Sequence, residues 1–590
     1  MLIRSISGIR GLVNEDLKEN AIINYANALN EYLPEGVIYA GRDSRPSGEE
    51  IAQLMIDELI RLGRTIIYCG IVPTPTVQYM VHISEAVGGF IITASHNPIE
   101  WNGIKFLRED STFFHKEDCE KLFEIADNFS SMKKYPDEKG MLWEEKNAIY
   151  KHSVKCSSLK CVDLDTIRSK KFKVVIDSVN GAGADALPSM LDLLGCEIIE
   201  LDCEPTGVFN RGTEPLPENL KGLSKEIINN KADVGFAVDP DADRLAVVDE
   251  KGAPLGEEYT LVLAADGYIN TLGAKDEIFI SNLSTSLALD KLALSKNCQV
   301  KRSAVGEINV VNKMNEVGSN FGGEGNGGVI LRECHLGRDS LVADTMVLNR
   351  MAQSISPISE IYNSLPQFEI VKDKVSVEGI NSDDFISKVD KYYHDGEKNN
   401  IDGLKITWDE KWIHLRSSNT EPIIRIYAEA PSRKEAEELI SNGDVKINNQ
   451  VFKKFFIYNN LIKSIKVKDK LLLKQKTRVW ILNKPVGFVS SNKEQFKQKS
   501  LFRLLPENFP RVVTVGRLDI NSDGLILLTN NPTLSNFLEN PISNVSRQYL
   551  VKVYGNVPEN LENKLENQLV INGIIYKKVE LRILTKKKNN

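Results

Sequence analysis

Three times between residues 37 and 292 an apolar run enters a loop of small and polar residues, and a stretch with helical spacing follows. Val37-Ile38-Tyr39-Ala40 leads through Gly41-Arg42-Asp43-Ser44-Arg45 to a segment with Ile51, Leu54, Met55 and Leu62 on one face, closed by Gly63. Lys173-Val174-Val175-Ile176 leads through Asn180-Gly181-Ala182-Gly183 to Leu187, Met190, Leu191 and Leu194, and Ile278-Phe279-Ile280 to Leu289 and Leu292. Strand, small loop and helix recurring at domain spacing restrict this region to a series of similar α/β units. A chain of 590 residues is too long for one core. The polar stretch from Met132 to Glu145, with Pro136 and Gly140, reads as the first linker. Gln367 to Ile440 reads as strands with a closing helix. No apolar run reaches the roughly 20 residues that span a bilayer, and Met1-Leu2-Ile3-Arg4-Ser5 lacks a signal-peptide core. Eight cysteines without a Cys-x-x-Cys pair suit reduced, structural thiols in a cytoplasmic protein. Cys156 and Cys161 are the closest, and zinc partners for them are not evident in the sequence.

Four loops carry the chemistry. Thr93-Ala94-Ser95-His96-Asn97-Pro98 follows the run Gly89-Phe90-Ile91-Ile92, which puts Ser95 at the exit of a buried strand, where α/β proteins place small-molecule chemistry. In Asp239-Pro240-Asp241-Ala242-Asp243-Arg244 three aspartates alternate after the strand Val234 to Val238. Extended alternation would set all three carboxylates on one side, where a cation is needed between them, and hard oxygen ligands suit Mg2+. In Gly322-Gly323-Glu324-Gly325-Asn326-Gly327-Gly328 the glycines permit close backbone approach. Glu324 and Asn326 there can bond sugar hydroxyls. Arg416, Ser418, Asn419, Thr420 and Arg425 supply the guanidinium, hydroxyl and backbone donors that a phosphate dianion requires.

In this order the four motifs resemble the signature loops of the α-D-phosphohexomutase family, over about residues 1–440. The resemblance implies three related mixed α/β domains plus a smaller α+β fourth domain around one cleft. Its expected bounds are 1–145, 146–250, 251–366 and 367–440. It implies a phosphoserine at Ser95, magnesium on Asp239, Asp241, Asp243 and the Ser95 phosphoryl group, sugar recognition by the third loop and phosphate binding by the fourth. Arg10, in Ser7-Gly8-Ile9-Arg10-Gly11, and Lys105, in Asn102-Gly103-Ile104-Lys105, match positions beside the phosphoserine and are candidates for charge stabilisation and proton transfer. Arg244 joins the substrate-binding groups, and His96 is expected to shape the serine loop rather than act as a base. The implied reaction interconverts a hexose 6-phosphate and 1-phosphate through a bisphosphate. The Gly-Glu-Gly-Asn-Gly-Gly form resembles phosphoglucosamine mutases most, with phosphomannomutase or phosphoglucomutase specificity as alternatives. Where the family's commonest form is Gly-Glu-x-Ser-Gly-His, this chain has Asn326 for the serine and Gly328 for the histidine. That removes a proton-transfer candidate; His335 and Arg338 follow closely and could contribute, although a structural role suits His335 better.

The charge changes sign near residue 440. Residues 441–590 hold 26 Lys+Arg against 11 Asp+Glu, whereas residues 1–440 hold 48 against 70. A basic segment of this size is expected to bind RNA. Ser432 to Ile440 with Asn442-Gly443-Asp444-Val445-Lys446-Ile447-Asn448 resembles the second half of the small RNA-binding module of ribosomal protein S-four type, over 432–475. Leu482-Asn483-Lys484-Pro485, Val515-Gly516-Arg517-Leu518-Asp519 and Ser522 to Thr529 resemble ribosomal-RNA pseudouridine synthases, over 476–590. The resemblance makes Asp519 catalytic, with Arg517 beside it, and Tyr549 stacked on a flipped-out uridine. Family members continue past Leu581-Arg582-Ile583-Leu584, where this chain turns to Thr585-Lys586-Lys587-Lys588-Asn589-Asn590, so a basic, incomplete α+β domain of weak activity is expected. A second working enzyme, a non-catalytic RNA-binding attachment, and two genes joined within the shared helix are the alternatives.

Overall fold

The computed structural model describes residues 2–5, 8–128, 135–376, 386–387, 389–390, 393, 395–417, 423–440, 445–447, 450–451, 465–467, 470–472, 476–491, 499–506, 509–510, 512–540, 543, 545–553, 561, 565, 569–571, 574–576 and 580–584. They fall into two compact units, Met1–Leu471 and Leu472–Asn590. Among the described residues no helix is long and apolar enough to cross a membrane.

The first unit repeats one topology three times. Ile38–Arg42 lies between two parallel neighbours, Ile66–Ile71 and Gly88–Ile92, and Trp101–Arg108 runs antiparallel beyond the latter. Lys173–Asp177 is likewise flanked in parallel by Glu197–Leu201 and Val234–Val238, with Leu245–Asp249 antiparallel outside. Ile278–Asn282 sits between Gln299–Ser303 and Phe321–Glu324, with Gly328–Leu331 antiparallel. Each sheet therefore has the spatial order second, first, third, fourth. In the second sheet the central strand Val234–Val238 and even the outer strand Leu245–Asp249 are apolar almost throughout and fully buried, as strands covered on both faces are.

The helix after the first strand runs over Ser47–Arg61, with Glu49 and Glu50 in its first turn, Arg61 in its last, and Ile51, Met55, Ile56 and Leu59 inside. Leu62 is its cap, and Gly63 leaves at φ +90°. Similar helices, Gly183–Leu193 and Leu287–Ser295, bury Leu187, Met190 and Leu191, and Leu289 and Leu292.

The expected linker before residue 145 is part of the first sheet instead. Leu142–Glu144 pairs in parallel with Ile66–Ile71 as a seventh strand at one edge, and a two-strand extension, Ile3–Ser5 and Gly8–Leu12, lies at the opposite edge. Gly140 makes the approach possible: a Cβ there would lie 1.8 Å from the carbonyl oxygen of Arg64. A three-residue strand whose side chains are all exposed gives no apolar alternation, so composition could not reveal it.

A fourth sheet, antiparallel throughout, runs Glu369–Ser376, Ile423–Ala430, Trp412–Ser417, Leu404–Thr407, Glu397–Asn399. One face packs Ile413, Leu415, Ile424, Ile426 and Ala428 with Leu439 and Ile440 of the helix Arg433–Ile440. Further on, Val445–Ile447 pairs antiparallel with Gln450–Val451 and Ile465–Val467. In the second unit Gly524–Thr529 lies between Val479–Lys484 and Val513–Val515, both antiparallel to it. Its core is small: Leu501, Val512, Ile526 and Leu528, bordered by Trp480 and Leu482. Ile481 and Leu525 on the other face are exposed.

Candidate active site

The three α/β repeats place three of the four motifs at one topological position, the connection between third and fourth strands. Ser95 lies between Gly88–Ile92 and Trp101–Arg108, the aspartates between Val234–Val238 and Leu245–Asp249, and Gly325 to Gly327 between Phe321–Glu324 and Gly328–Leu331.

Ser95 is held in the left-handed region, φ +50°, which costs a non-glycine residue roughly 1–3 kcal/mol. The surroundings impose it. The Thr93 hydroxyl accepts from the Ser95 amide at 2.9 Å, and Arg45 donates to the carbonyls of Ser95 and Asn97 at 2.8 and 2.5 Å. Arg45 is itself wholly buried on the carboxylate of Asp43, which also accepts from Thr93 at 2.6 Å. The Ser95 Oγ lies 3.4 Å from Nδ1 of His96, a nitrogen that also meets Nη2 of Arg244 at 3.3 Å. Burial, and after it the Arg244 charge, push the His96 imidazole down to about 3, so the ring is neutral. The loop carbonyl of His96 accepts from Thr213 of the second repeat.

The carboxylates of Asp239, Asp241 and Asp243 are fully buried and offer oxygens within 4.8 Å of one another. They do not converge by extended alternation, as expected. The chain turns back on itself: Ala242 adopts φ +51°, its amide donates to the Asp239 carbonyl at 2.9 Å, and the Asp243 amide donates to Oδ1 of Asp239 at 3.2 Å. A tight turn folds residues two apart onto one point more effectively than a strand, whose alternate side chains diverge along its length. Lys105 donates to Oδ2 of Asp241 at 2.7 Å and lies 4.0 Å from Asp243. Burial would lower the Lys105 ammonium, but Asp241 and Asp243 hold it above its usual value. Conversely, burial would raise Asp241, and Lys105 keeps it below the carboxylate range. Asp239 has only the more distant Arg244, at 3.6 Å, and burial with its two acidic neighbours pushes it well up. One oxygen of each aspartate (Oδ2 of Asp239, Oδ1 of Asp241 and of Asp243) is buried without a hydrogen-bond donor among the described residues. Three orphaned hard donors in this space fit a divalent cation.

In the third loop Glu324 accepts from Asn282 at 2.7 Å and from the Gly306 amide at 2.9 Å, and Asn326 accepts from the Gly328 amide at 3.3 Å. The group that organises this region is Arg338, which the sequence singled out only as a neighbour. Its guanidinium donates to Asp243 at 2.6 Å, Glu307 at 3.0 Å and Glu324 at 3.0 Å, so it ties the aspartate turn to the third loop. A Cβ at residue 328 would stand 2.3 Å from Cδ of Arg338. Gly328, read as a lost histidine, is therefore the space that Arg338 occupies. The signal was available as two adjoining facts, a missing side chain and an arginine ten residues on.

Arg10 donates to the side chain of Asn97 at 3.2 Å. Burial, and then the like charge of Arg425, lower its guanidinium. Arg416 and Arg425 are cross-strand partners, and Lys374 is paired with Arg425 on the other side. Like charges directly opposite destabilise a sheet unless an anion is met there. Lys374 carries no motif, and only the pairing register brings it to this row. Arg416 is also paired with Asp402 at 2.7 Å. Ser418, Asn419 and Thr420 lie outside the described residues.

In the second unit Asp519 and Arg517 are exposed. The Asp519 loop is pinned from beneath by Lys484, fully buried, whose ammonium donates to the carbonyls of Asp519 at 3.0 Å and Ser522 at 2.6 Å. Burial lowers this ammonium, and Asp523 and Asp519 oppose that. Tyr549 is 65 % exposed, outside any helix or strand. Neither Asp519 nor Tyr549 makes a side-chain hydrogen bond among the described residues, and no ring contact fixes Tyr549.

Comparisons agree with this division. The sequence matches the phosphoglucomutase/phosphomannomutase family in its alpha/beta/alpha domains I, II and III over residues 2–133, 148–252 and 256–368, and in its C-terminal domain over 371–442. Residues 478–590 match the RNA pseudouridylate synthase family. A phosphoglucomutase/phosphomannomutase of Thermococcus kodakarensis is 34 % identical over 460 residues, 76 % of this chain and 98 % of that protein. A probable phosphoglucosamine mutase of Methanopyrus kandleri is 32 % identical over 438 residues, 73 % of this chain and 95 % of that protein. The solved structure of a phosphoglucomutase/phosphomannomutase family protein from Burkholderia thailandensis has the same fold, with a TM-score of 0.65 at 24 % identity over 74 % of this chain and 96 % of that one.

Two predictions follow from the charges. Arg338→Met leaves Asp243, Glu307 and Glu324 buried without their shared cation, and stability in urea unfolding should fall by about 3–5 kcal/mol; a loss below about 1 kcal/mol would contradict the central role of this residue. For His96, the folded value of about 3 is below the unfolded value of 6.5. The stability that its neutral ring provides is thus complete above about 6.5 and is lost as pH falls towards 3, because the unfolded chain takes up the proton first. His96→Asn should flatten the decline between those values by about one proton, and an unchanged slope would show that His96 does not titrate this way.

Proposed function

The chain belongs to the phosphoglucomutase/phosphomannomutase family, and on that premise we propose that Ser95 is the phosphoryl carrier of its hexose-phosphate mutase activity. The observation that carries this reading is that Lys105, on the strand into which the Ser95 loop leads, pairs with the buried aspartate turn, which takes in the second repeat the connection that Ser95 takes in the first. In the proposed cycle phospho-Ser95 gives its phosphoryl group to a hydroxyl of a hexose phosphate. The Oγ–P bond breaks, a P–O bond to the sugar forms, and the sugar hydroxyl proton ends, in the net step, on the Oγ that has lost its phosphoryl group. The bisphosphate turns round, and its other phosphoryl returns to Oγ.

Lys105, kept cationic by Asp241 and Asp243, stabilises the phosphoryl group in transfer and is the wrong form for a general base. Arg10 faces the same loop through Asn97. Asp239, Asp241 and Asp243, with an oxygen of the Ser95 phosphoryl group, are the proposed ligands of a magnesium ion, whose charge would offset that of the phosphoryl group. Glu324 and Asn326 are the proposed sugar contacts, and Arg416, Ser418, Asn419, Thr420 and Arg425 the phosphate contacts, with Arg244 beside the serine loop. Glucosamine phosphate is the proposed substrate, since a relative such as that of Methanopyrus kandleri is named a probable phosphoglucosamine mutase. The Thermococcus kodakarensis relative keeps mannose and glucose phosphates as the competitors to assay. The proposed domain bounds are those expected from sequence, with Leu142–Glu144 included in the first.

A second reading concerns the basic part. The excess of 26 Lys+Arg over 11 Asp+Glu in residues 441–590 favours a polyanion, and we propose ribosomal RNA, with Asp519 as the reactive carboxylate and Tyr549 as the base-stacking ring.

Mass spectrometry of the active protein should find phosphate on Ser95, and Ser95→Ala should lower mutase turnover by more than about 10⁴-fold. Full turnover with an unmodified Ser95 that takes no label from substrate would refute the carrier role. Ribosomal RNA should be retained by residues 441–590 with steep salt dependence, and any pseudouridine formed should vanish in Asp519→Asn. Retention no better than that of residues 1–440 at low salt would remove the RNA reading.

A further inference from the structure

A second group of ligand-type side chains lies apart from the aspartate turn. His152 belongs to the helix Ala148–Ser157, Cys334 and His335 follow the strand Gly328–Leu331, and Asp339 caps the helix Ser340–Ala352. Each offers one ligand atom, all four within 4.8 Å of one another, and none is more than 1 % exposed. Nε2 of His152 is 2.8 Å and Nε2 of His335 3.1 Å from the same oxygen, Oδ2 of Asp339. Two imidazoles on one carboxylate oxygen leave other nitrogens to be satisfied. Nδ1 of His152 meets the Thr76 hydroxyl at 3.0 Å, but Nδ1 of His335 is buried with no hydrogen-bond partner among the described residues. An orphan of that kind costs about 1–3 kcal/mol in a purely hydrogen-bonded cluster.

We propose that His152, Cys334, His335 and Asp339 form a closed, structural zinc site. Two imidazoles, a thiolate and a carboxylate are the donor types that zinc takes in a four-coordinate site, and a thiolate discriminates against magnesium. One thiolate and one carboxylate match the ion's two charges, so the buried site is neutral. The ligands are braced as zinc ligands commonly are. Oδ1 of Asp339 accepts from the amides of Leu341 and Val342, Thr76 holds His152, and the Tyr79 ring stacks on His152 at 5.0 Å. The site joins the first helix of the second repeat to the third repeat and fixes Asp339, the neighbour of Arg338. Its ligands are 182 residues apart at the nearest approach between segments, so spacing motifs do not reveal it. Cys156, whose sulfur is 3.9 Å from that of Cys334, supplies the competing outcome, a disulfide.

The full chain, produced with zinc in the medium and desalted into magnesium buffer, should retain about one zinc per chain by elemental analysis. Cobalt in its place should give a thiolate-to-metal charge-transfer band, which the oxygen-only aspartate turn cannot produce. Cys334→Ser should abolish that band and cut retained zinc at least about tenfold. A chain that neither retains nor takes up zinc overturns the proposal, as does cobalt binding without the thiolate band or a Cys156–Cys334 disulfide in protein kept from air. If Cys334→Ser does not fold, the zinc count and cobalt spectrum of the unaltered chain decide the matter.

Discussion

The guanidinium of Arg338 is the interaction on which the cleft depends. It is buried, and its three hydrogen-bonding nitrogens reach carboxylates on three separate segments: Asp243 in the aspartate turn, Glu307 at the start of the helix Glu307–Val317, and Glu324 in the third loop. A lysine would have to meet all three carboxylates from a single nitrogen, whereas the guanidinium presents a separate nitrogen to each. Around it the buried cations Lys105, Arg244 and Arg338 face five buried carboxylates, those of Asp239, Asp241, Asp243, Glu307 and Glu324. With all five ionised, the excess of two negative charges is what a divalent cation would offset; without one, Asp239 is pushed well up and one oxygen of each aspartate lacks a hydrogen-bond donor among the described residues.

Repetition of one topology explains how such a site can assemble. Every repeat sends its chain from a parallel third strand into an antiparallel fourth through a short connection, and buried strands on either side hold that connection rigidly. Rigid connections can carry strained residues, as the φ of +50° at Ser95 and +51° at Ala242 show. The second unit achieves something comparable with less. One buried ammonium, Lys484, holds the backbone of the Asp519 loop, so an exposed carboxylate stands on a fixed base although the core beneath contains few residues.

Much of this was legible in the sequence because its causes are local. Gly89 to Ile92 running into Thr93-Ala94-Ser95, the aspartates at alternate positions and the repeated strand, loop and helix are short-range patterns that burial and turn chemistry write directly into the residue order. The change of charge near residue 440 is equally a property of composition, and it separates two parts that match two different families.

What only the tertiary structure decided is long-range. The aspartates alternate in sequence but meet through a left-handed turn, and Leu142–Glu144, short and exposed, became a strand because the edge of Ile66–Ile71 was open to it. Gly328 looked like a missing histidine until Arg338 was found in its place, and Lys374 stands beside Arg425 only through strand register. His152 reaches Asp339 across 187 residues in the same way. Sequence determines which side chains are available and which local backbone they prefer. Which of them share a buried volume, and so must satisfy one another's charges and hydrogen bonds, follows only when distant strands have packed.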